Sequence, residues 1–137
     1  MKKLKIVLAV IVGVALLMVL VPRQSYAYPA PPLSSVSITD LAVDDNNEIH
    51  VEIQIIGTGN AYVCWVDNIV KSRNYSEGYN LVNSNGVVYG EVVYYHTGLY
   101  YVPENYGQTL NCKFQATNAM SPWNTLTVQR QFVIPSV

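Results

Sequence analysis

The chain has 137 residues, with eight Lys and Arg against nine Asp and Glu. Half of the basic residues (Lys2, Lys3, Lys5 and Arg23) sit at the N-terminus, so Lys71, Arg73, Lys113 and Arg130 alone face the nine acids beyond it. An acidic domain without a basic stripe excludes nucleic acid and anionic lipid surfaces as partners.

The first 27 residues have the layout of a secretory signal peptide. Lys2, Lys3 and Lys5 precede an unbroken apolar run from Ile6 to Val21, which Pro22 ends. Ser25 and Ala27 then supply the small-x-small step at which a signal peptidase cuts, so cleavage is expected after Ala27. A permanent membrane helix needs about 20 apolar residues. The run is shorter, so no stable membrane insertion is expected and the chain is expected to be secreted. Residues 28–34 contain Pro29, Pro31 and Pro32 and form an extended arm, because proline supplies no amide donor to a sheet. Residues 35–137 suffice for one domain with its own core.

Within that domain the apolar period is two almost throughout, and no stretch sustains a helical period. Val36 and Ile38 open a first strand, and Leu41 and Val43 continue it after a kink. Asp44-Asp45-Asn46-Asn47 is a turn. In Glu48 to Ile56, Ile49, Val51, Ile53 and Ile55 point one way and His50, Glu52 and Gln54 the other, predicting one core face and one wet face. Gly57 to Asn60 turns the chain into a third strand, Ala61 to Val66. Asp67 to Asn80 is polar and is expected to be a long loop. Asn85-Gly86 signals a tight turn before the strand Val87 to Tyr95. Thr97-Gly98 predicts a two-residue hairpin turn into Leu99 to Val102, which Pro103 stops. Thr109 to Ala116 and Asn124 to Ile134 are the closing strands, separated by a loop that holds Trp123. The expected fold is therefore all-β, a single sandwich of about seven to eight strands.

The stretch Leu110-Asn111-Cys112-Lys113-Phe114-Gln115-Ala116-Thr117-Asn118, followed by Ser121-Pro122, resembles the penultimate strand and next loop of fibronectin type III and related immunoglobulin-like domains. Val36, Ile38 and Leu41 at the start and Thr125 to Ile134 at the end fit the same order. Leu110 stands where that family has Tyr, and Cys112 where it has a large hydrophobe. The resemblance implies an immunoglobulin-like β-sandwich and carries no function with it.

Cys64 and Cys112 are an even pair in a chain expected to reach an oxidising compartment, so a disulfide is expected, with two free thiols as the alternative. By strand order in the resembled fold, the bridge would join neighbouring strands of one sheet. No metal site is expected: neither His50 nor His96 stands at ligand spacing from a cysteine, and Asp44 to Glu48 lacks the order and the glycine of a calcium loop. No catalytic residues and no cofactor are expected, because no nucleophile elbow accompanies the two histidines. Asn74-Tyr75-Ser76 is a glycosylation sequon.

The predicted hairpin of residues 92–102 sets Tyr95 opposite Tyr100 and Tyr94 opposite Tyr101. One of these pairs would face out as a recognition platform, with Trp123 as a further exposed aromatic. The function expected is that of a secreted, non-enzymatic module for extracellular recognition or assembly, with a protein or a glycan as partner. The alternatives are a carbohydrate-binding module using surface Tyr and Trp, and a fibre subunit that self-assembles through a sheet edge.

Overall fold

The computed structural model describes residues 2–3, 25–26 and 31–137. Most of the expected signal peptide, its cleavage site after Ala27 and the first residues of the arm lie outside the described residues. Two short pairings belong to that region. Lys2–Lys3 runs antiparallel beside Ala42 and Val43, and Ser25–Tyr26 runs parallel to Val87 and Val88.

Eight strands build the domain: β1 (Ser35–Val43), β2 (Glu48–Ile56), β3 (Gly59–Val66), β4 (Ile69–Lys71), β5 (Tyr79–Val82), β6 (Val87–Tyr100), β7 (Thr109–Asn118) and β8 (Thr125–Val133). One helical turn, Pro103–Asn105, is the only helical element among the described residues. The strands form two antiparallel four-stranded sheets, ordered β1-β2-β6-β5 and β8-β7-β3-β4. The molecule is therefore the all-β sandwich expected from its period-two patterning.

Alternation makes the core. Ile49, Val51, Ile53 and Ile55 project from β2 onto Cys64, Leu110, Phe114 and Ala116 of the opposing sheet. The kink expected in β1 is a bulge between Ile38 and Asp40. Bulges leave backbone groups outside the ladder. Here the Arg130 guanidinium of β8 reaches across to donate to the carbonyls of Ile38 and Thr39, both at 2.9 Å. Pro31 is tied down as well, since Thr58 donates its amide to the Pro31 carbonyl at 3.0 Å.

Four expectations are corrected. First, the outward face of β2 is not wet: His50 and Glu52 are buried, and Ala42, Leu81, Val92 and Tyr94 form a second apolar cluster on that face. Second, the Asp67–Asn80 segment contains β4 and the start of β5, and between them it crosses from one sheet to the other. His96 donates its amide to the Ser72 carbonyl and Asn74 donates to the Tyr94 carbonyl, so residues 72–74 run along β6.

Third, Thr97-Gly98 does not turn a hairpin. β6 continues to Tyr100 because β2 begins at Glu48 and offers a backbone edge that far, with Glu48 opposite Tyr100. Gly98 takes a positive φ of 76° and is absorbed as an irregularity in the ladder. The chain then clamps onto the Asp44–Asn47 turn, where Tyr101 donates its amide to the Asn47 carbonyl.

Fourth, Cys64 and Cys112 are free, buried thiols. They do lie on neighbouring strands of one sheet, β3 and β7. Cys64 pairs with Phe114, however, and Cys112 with Val66, so the two cysteines are diagonal neighbours. Diagonal positions stand about 7–8 Å apart, against the roughly 4.4–6.8 Å between Cα atoms that a disulfide requires.

Candidate functional site

Without the hairpin, the tyrosine platform is not assembled. Tyr94 and Tyr95 are adjacent on β6 and point to opposite faces, both buried. The Tyr94 hydroxyl donates to Glu52 Oε2 at 2.8 Å on the outer face. Tyr95 faces inward against Phe114, with ring centroids 5.7 Å apart. Tyr100 is half exposed, and Tyr101 packs on Tyr106 at 5.1 Å. Trp123 is 60% exposed in its loop, as expected, and stands apart from these tyrosines in the chain.

The structure instead assembles a cleft that no sequence motif announced. It opens where residues 72–74 leave β4 and pass along β6, and its volume is about 550 Å³. Tyr62 of β3, Lys71 of β4, Arg73 and Tyr75 of the crossing segment, and Glu91 and Tyr95 of β6 line it. Arg73 Nη2 lies 3.4 Å from Glu91 Oε2, and the guanidinium carbon sits 5.0 Å from the centre of the Tyr75 ring. Arg73 Nε is buried and has no hydrogen-bond partner. Burial, with the charge and hydrogen bond of Glu91, pushes the Tyr62 phenol well above its ordinary range, so it stays a neutral donor. Tyr75 is 83% exposed, an aromatic face held over a cation at the mouth of the cleft.

Close backbone approach shapes the floor. A Cβ on Gly59 would come within 2.5 Å of the Tyr62 ring. Asn74, in the sequon, is nearly buried, and its Oδ1 accepts from both the amide and the hydroxyl of Ser76.

A second cluster lies at the start of β2. His50 and His96 are directly opposite each other on β2 and β6, with ring centroids 4.6 Å apart. His50 Nε2 is 2.8 Å from Asp44 Oδ2 and 3.6 Å from Glu48 Oε1, and His96 Nδ1 is 3.0 Å from the same Glu48 oxygen. His50 is fully buried, although its strand face was expected to be wet. Burial raises the Asp44 carboxyl, but the His50 hydrogen bond and the Glu48 and Asn46 amides outweigh it, leaving the group below its ordinary value.

The sequence signal for this second cluster is Glu48-x-His50, two residues that must share a strand face. Its partner His96 is identified only by register. No protein-family model, no curated protein and no solved structure matches the chain.

Proposed function

We propose that the chain is a secreted, non-enzymatic recognition module with an immunoglobulin-like sandwich, and that it holds a glycan in the tyrosine–arginine cleft. Secretion rests on the Lys-rich start, the Ile6–Val21 run and the small-x-small step at Ala27. The immunoglobulin-like reading is supported by strand order. Lettered A, B, C, C′, D, E, F, G along the chain, the sheets run A-B-E-D and G-F-C-C′, the arrangement of that architecture.

The observation that carries the ligand class is the Tyr75–Arg73–Glu91 arrangement at the cleft mouth. A sugar ring presents apolar C–H faces and a rim of hydroxyls. An exposed tyrosine ring answers the first, and a guanidinium, a carboxylate and a neutral phenol answer the second. A volume near 550 Å³ falls in the range of about 300–1,000 Å³ usual for small-ligand clefts.

Tyr75→Ala is the informative variant, because a side chain so exposed contributes little to folding. Losing an aromatic hot spot costs about 2 kcal/mol or more of binding. Glycans retained by the wild-type protein on an array should therefore bind Tyr75→Ala about 30-fold more weakly, with the thermal midpoint unchanged. A protein that retains no glycan, or one whose glycan binding survives both Tyr75→Ala and Glu91→Gln, would sink this reading. An elution position far above the monomer would favour the fibre-subunit alternative.

A further inference from the structure

We propose that Glu48, His50 and His96, backed by Asp44, form a binding site for a zinc-class transition-metal dication at the open end of the β2–β6 ladder. Two imidazole nitrogens and a carboxylate oxygen converge there, His50 Nε2, His96 Nδ1 and Glu48 Oε1, and Asp44 Oδ2 reaches the group through His50 Nε2. The Glu48 and His ligand atoms all lie within 4.8 Å of one another. A zinc ion with bonds of about 2.0–2.2 Å to N and O in a tetrahedral site spaces its ligand atoms at about 3.3–3.5 Å. The Glu48 contacts of 3.0 and 3.6 Å bracket that spacing, and the two histidine nitrogens lie within 4.8 Å of each other, so the three side chains can close on an ion with a fourth position left for water.

The carboxylates are already oriented for it. Asp44 Oδ1 accepts the amides of Asn46 and Glu48, both at 2.9 Å, which leaves Oδ2 for the cluster. Glu48 Oε2 accepts the Gly98 amide at 3.2 Å, which leaves Oε1. Each carboxylate thus has one oxygen held by backbone and the other turned toward the histidines, the outer-shell support that metal sites use. Gly98, whose positive φ interrupts β6, delivers one of those amides. Within residues 31–137, the ion pairs formed by Asp44 and Glu48 are with histidine alone.

His50 supplies the means of switching between the two states. Its Nδ1 is buried without a hydrogen-bond partner, so nothing on that side of the ring selects a tautomer. The choice falls to whatever faces Nε2. Facing carboxylates alone, Nε2 carries the proton and donates it to Asp44; facing a dication, Nε2 offers its lone pair and the proton resides on Nδ1. The imidazole donors favour zinc, cobalt, nickel or copper over magnesium and calcium. His96, with a side chain 37% exposed, is the route of entry.

The test uses the purified, untagged protein stripped of metal by chelator. Titration with Co²⁺ should produce the visible absorption of a tetrahedral site at a 1:1 ratio. Zn²⁺ should displace it, and nitrogen NMR should show His50 changing tautomer. His96→Ala and Glu48→Gln, at positions that are not part of the core, should each weaken Co²⁺ binding tenfold or more and remove the rise in thermal midpoint that Zn²⁺ gives the wild type. Wild-type protein that yields neither the absorption nor a Zn²⁺-dependent shift overturns the proposal, as does binding that both variants retain. The experiment is independent of the glycan cleft, since Tyr75→Ala should leave Co²⁺ binding intact.

Discussion

Cys64 and Cys112 illustrate how much two residues of register decide. Directly opposite, they would be candidates for a bridge; set diagonally, they are core side chains that happen to contain sulfur. Burial pushes both thiols up to about 12, with the neighbouring Cys112 adding to the rise at Cys64 and Asp67 adding at Cys112. At pH 8 only about one thiol in ten thousand would be ionised at such a value, and thiolate is the reactive form. Iodoacetamide should therefore leave the native protein unmodified over hours and add two labels once urea unfolds it. A native mass two protons below that of the reduced chain, or rapid labelling without urea, would contradict this assignment. Residue-scale reasoning from compartment and count could not reach the result, because pairing within a sheet is a property of strands.

At the scale of elements, the positions of β1, β2, β3, β7 and β8 were legible in the sequence from their period-two patterning, although the second cluster over β2 was not. What was not legible is where long-range pairing overrides a local signal. Thr97-Gly98 has the chemistry of a turn, but the free edge of β2 up to Glu48 stabilises a longer ladder than a hairpin of four residues could. The cleft was hidden for the same reason: Arg73 and Glu91 meet only because residues 72–74 cross sheets and pair with β6. The histidine pair likewise follows from the His50–His96 register, which a hairpin reading of β6 conceals.

The two glycines of β6 separate backbone strain from steric exclusion. At Gly98 a Cβ would meet only the Lys71 ammonium at 3.9 Å, so Gly98→Ala should cost about 1–2 kcal/mol, the penalty of a left-handed conformation. At Gly90 a Cβ would fall 2.3 Å from the Ile55 carbonyl oxygen, and the β2–β6 ladder itself must shift. Gly90→Ala should exceed about 4 kcal/mol or abolish folding. Urea unfolding of the two variants checks the order, and equal losses would place the irregularity of β6 elsewhere.

Across the described residues, the sandwich is closed by few charges and by several buried thiols and phenols that are neutral at pH 7. Arg130 spans the sheets at one edge, donating to two carbonyls of the β1 bulge while its guanidinium carbon lies 4.6 Å from the centre of the Phe132 ring. A charged hydrogen bond is worth about 1.5–3 kcal/mol when its partner is otherwise left unsatisfied. Partial exposure brings the expected loss for Arg130→Ala to about 1–2 kcal/mol, since water can replace part of the bond.

The larger collective effect is alkaline. Desolvation raises Cys64, Cys112, Tyr62, Tyr94 and Tyr95 above their ordinary values, because each would have to ionise where burial has removed water, in the core or under the outer cluster. Folding therefore holds protons that the unfolded chain releases. By linkage, stability is unaffected by these groups while the unfolded forms remain protonated, and it falls as pH rises past the unfolded thiol value of 9.0 and phenol value of 10.0. The loss grows until the native groups ionise, near 12 for the thiols. Urea midpoints should thus be flat from pH 7 to about 8.5 and decline steadily from pH 9 to 11. Replacing both cysteines by Ala should flatten the first part of that decline, between the thiol and phenol ranges, and leave the later part in place. A midpoint independent of pH up to 11 would mean that the tyrosines and cysteines are far better solvated than a closed sandwich allows.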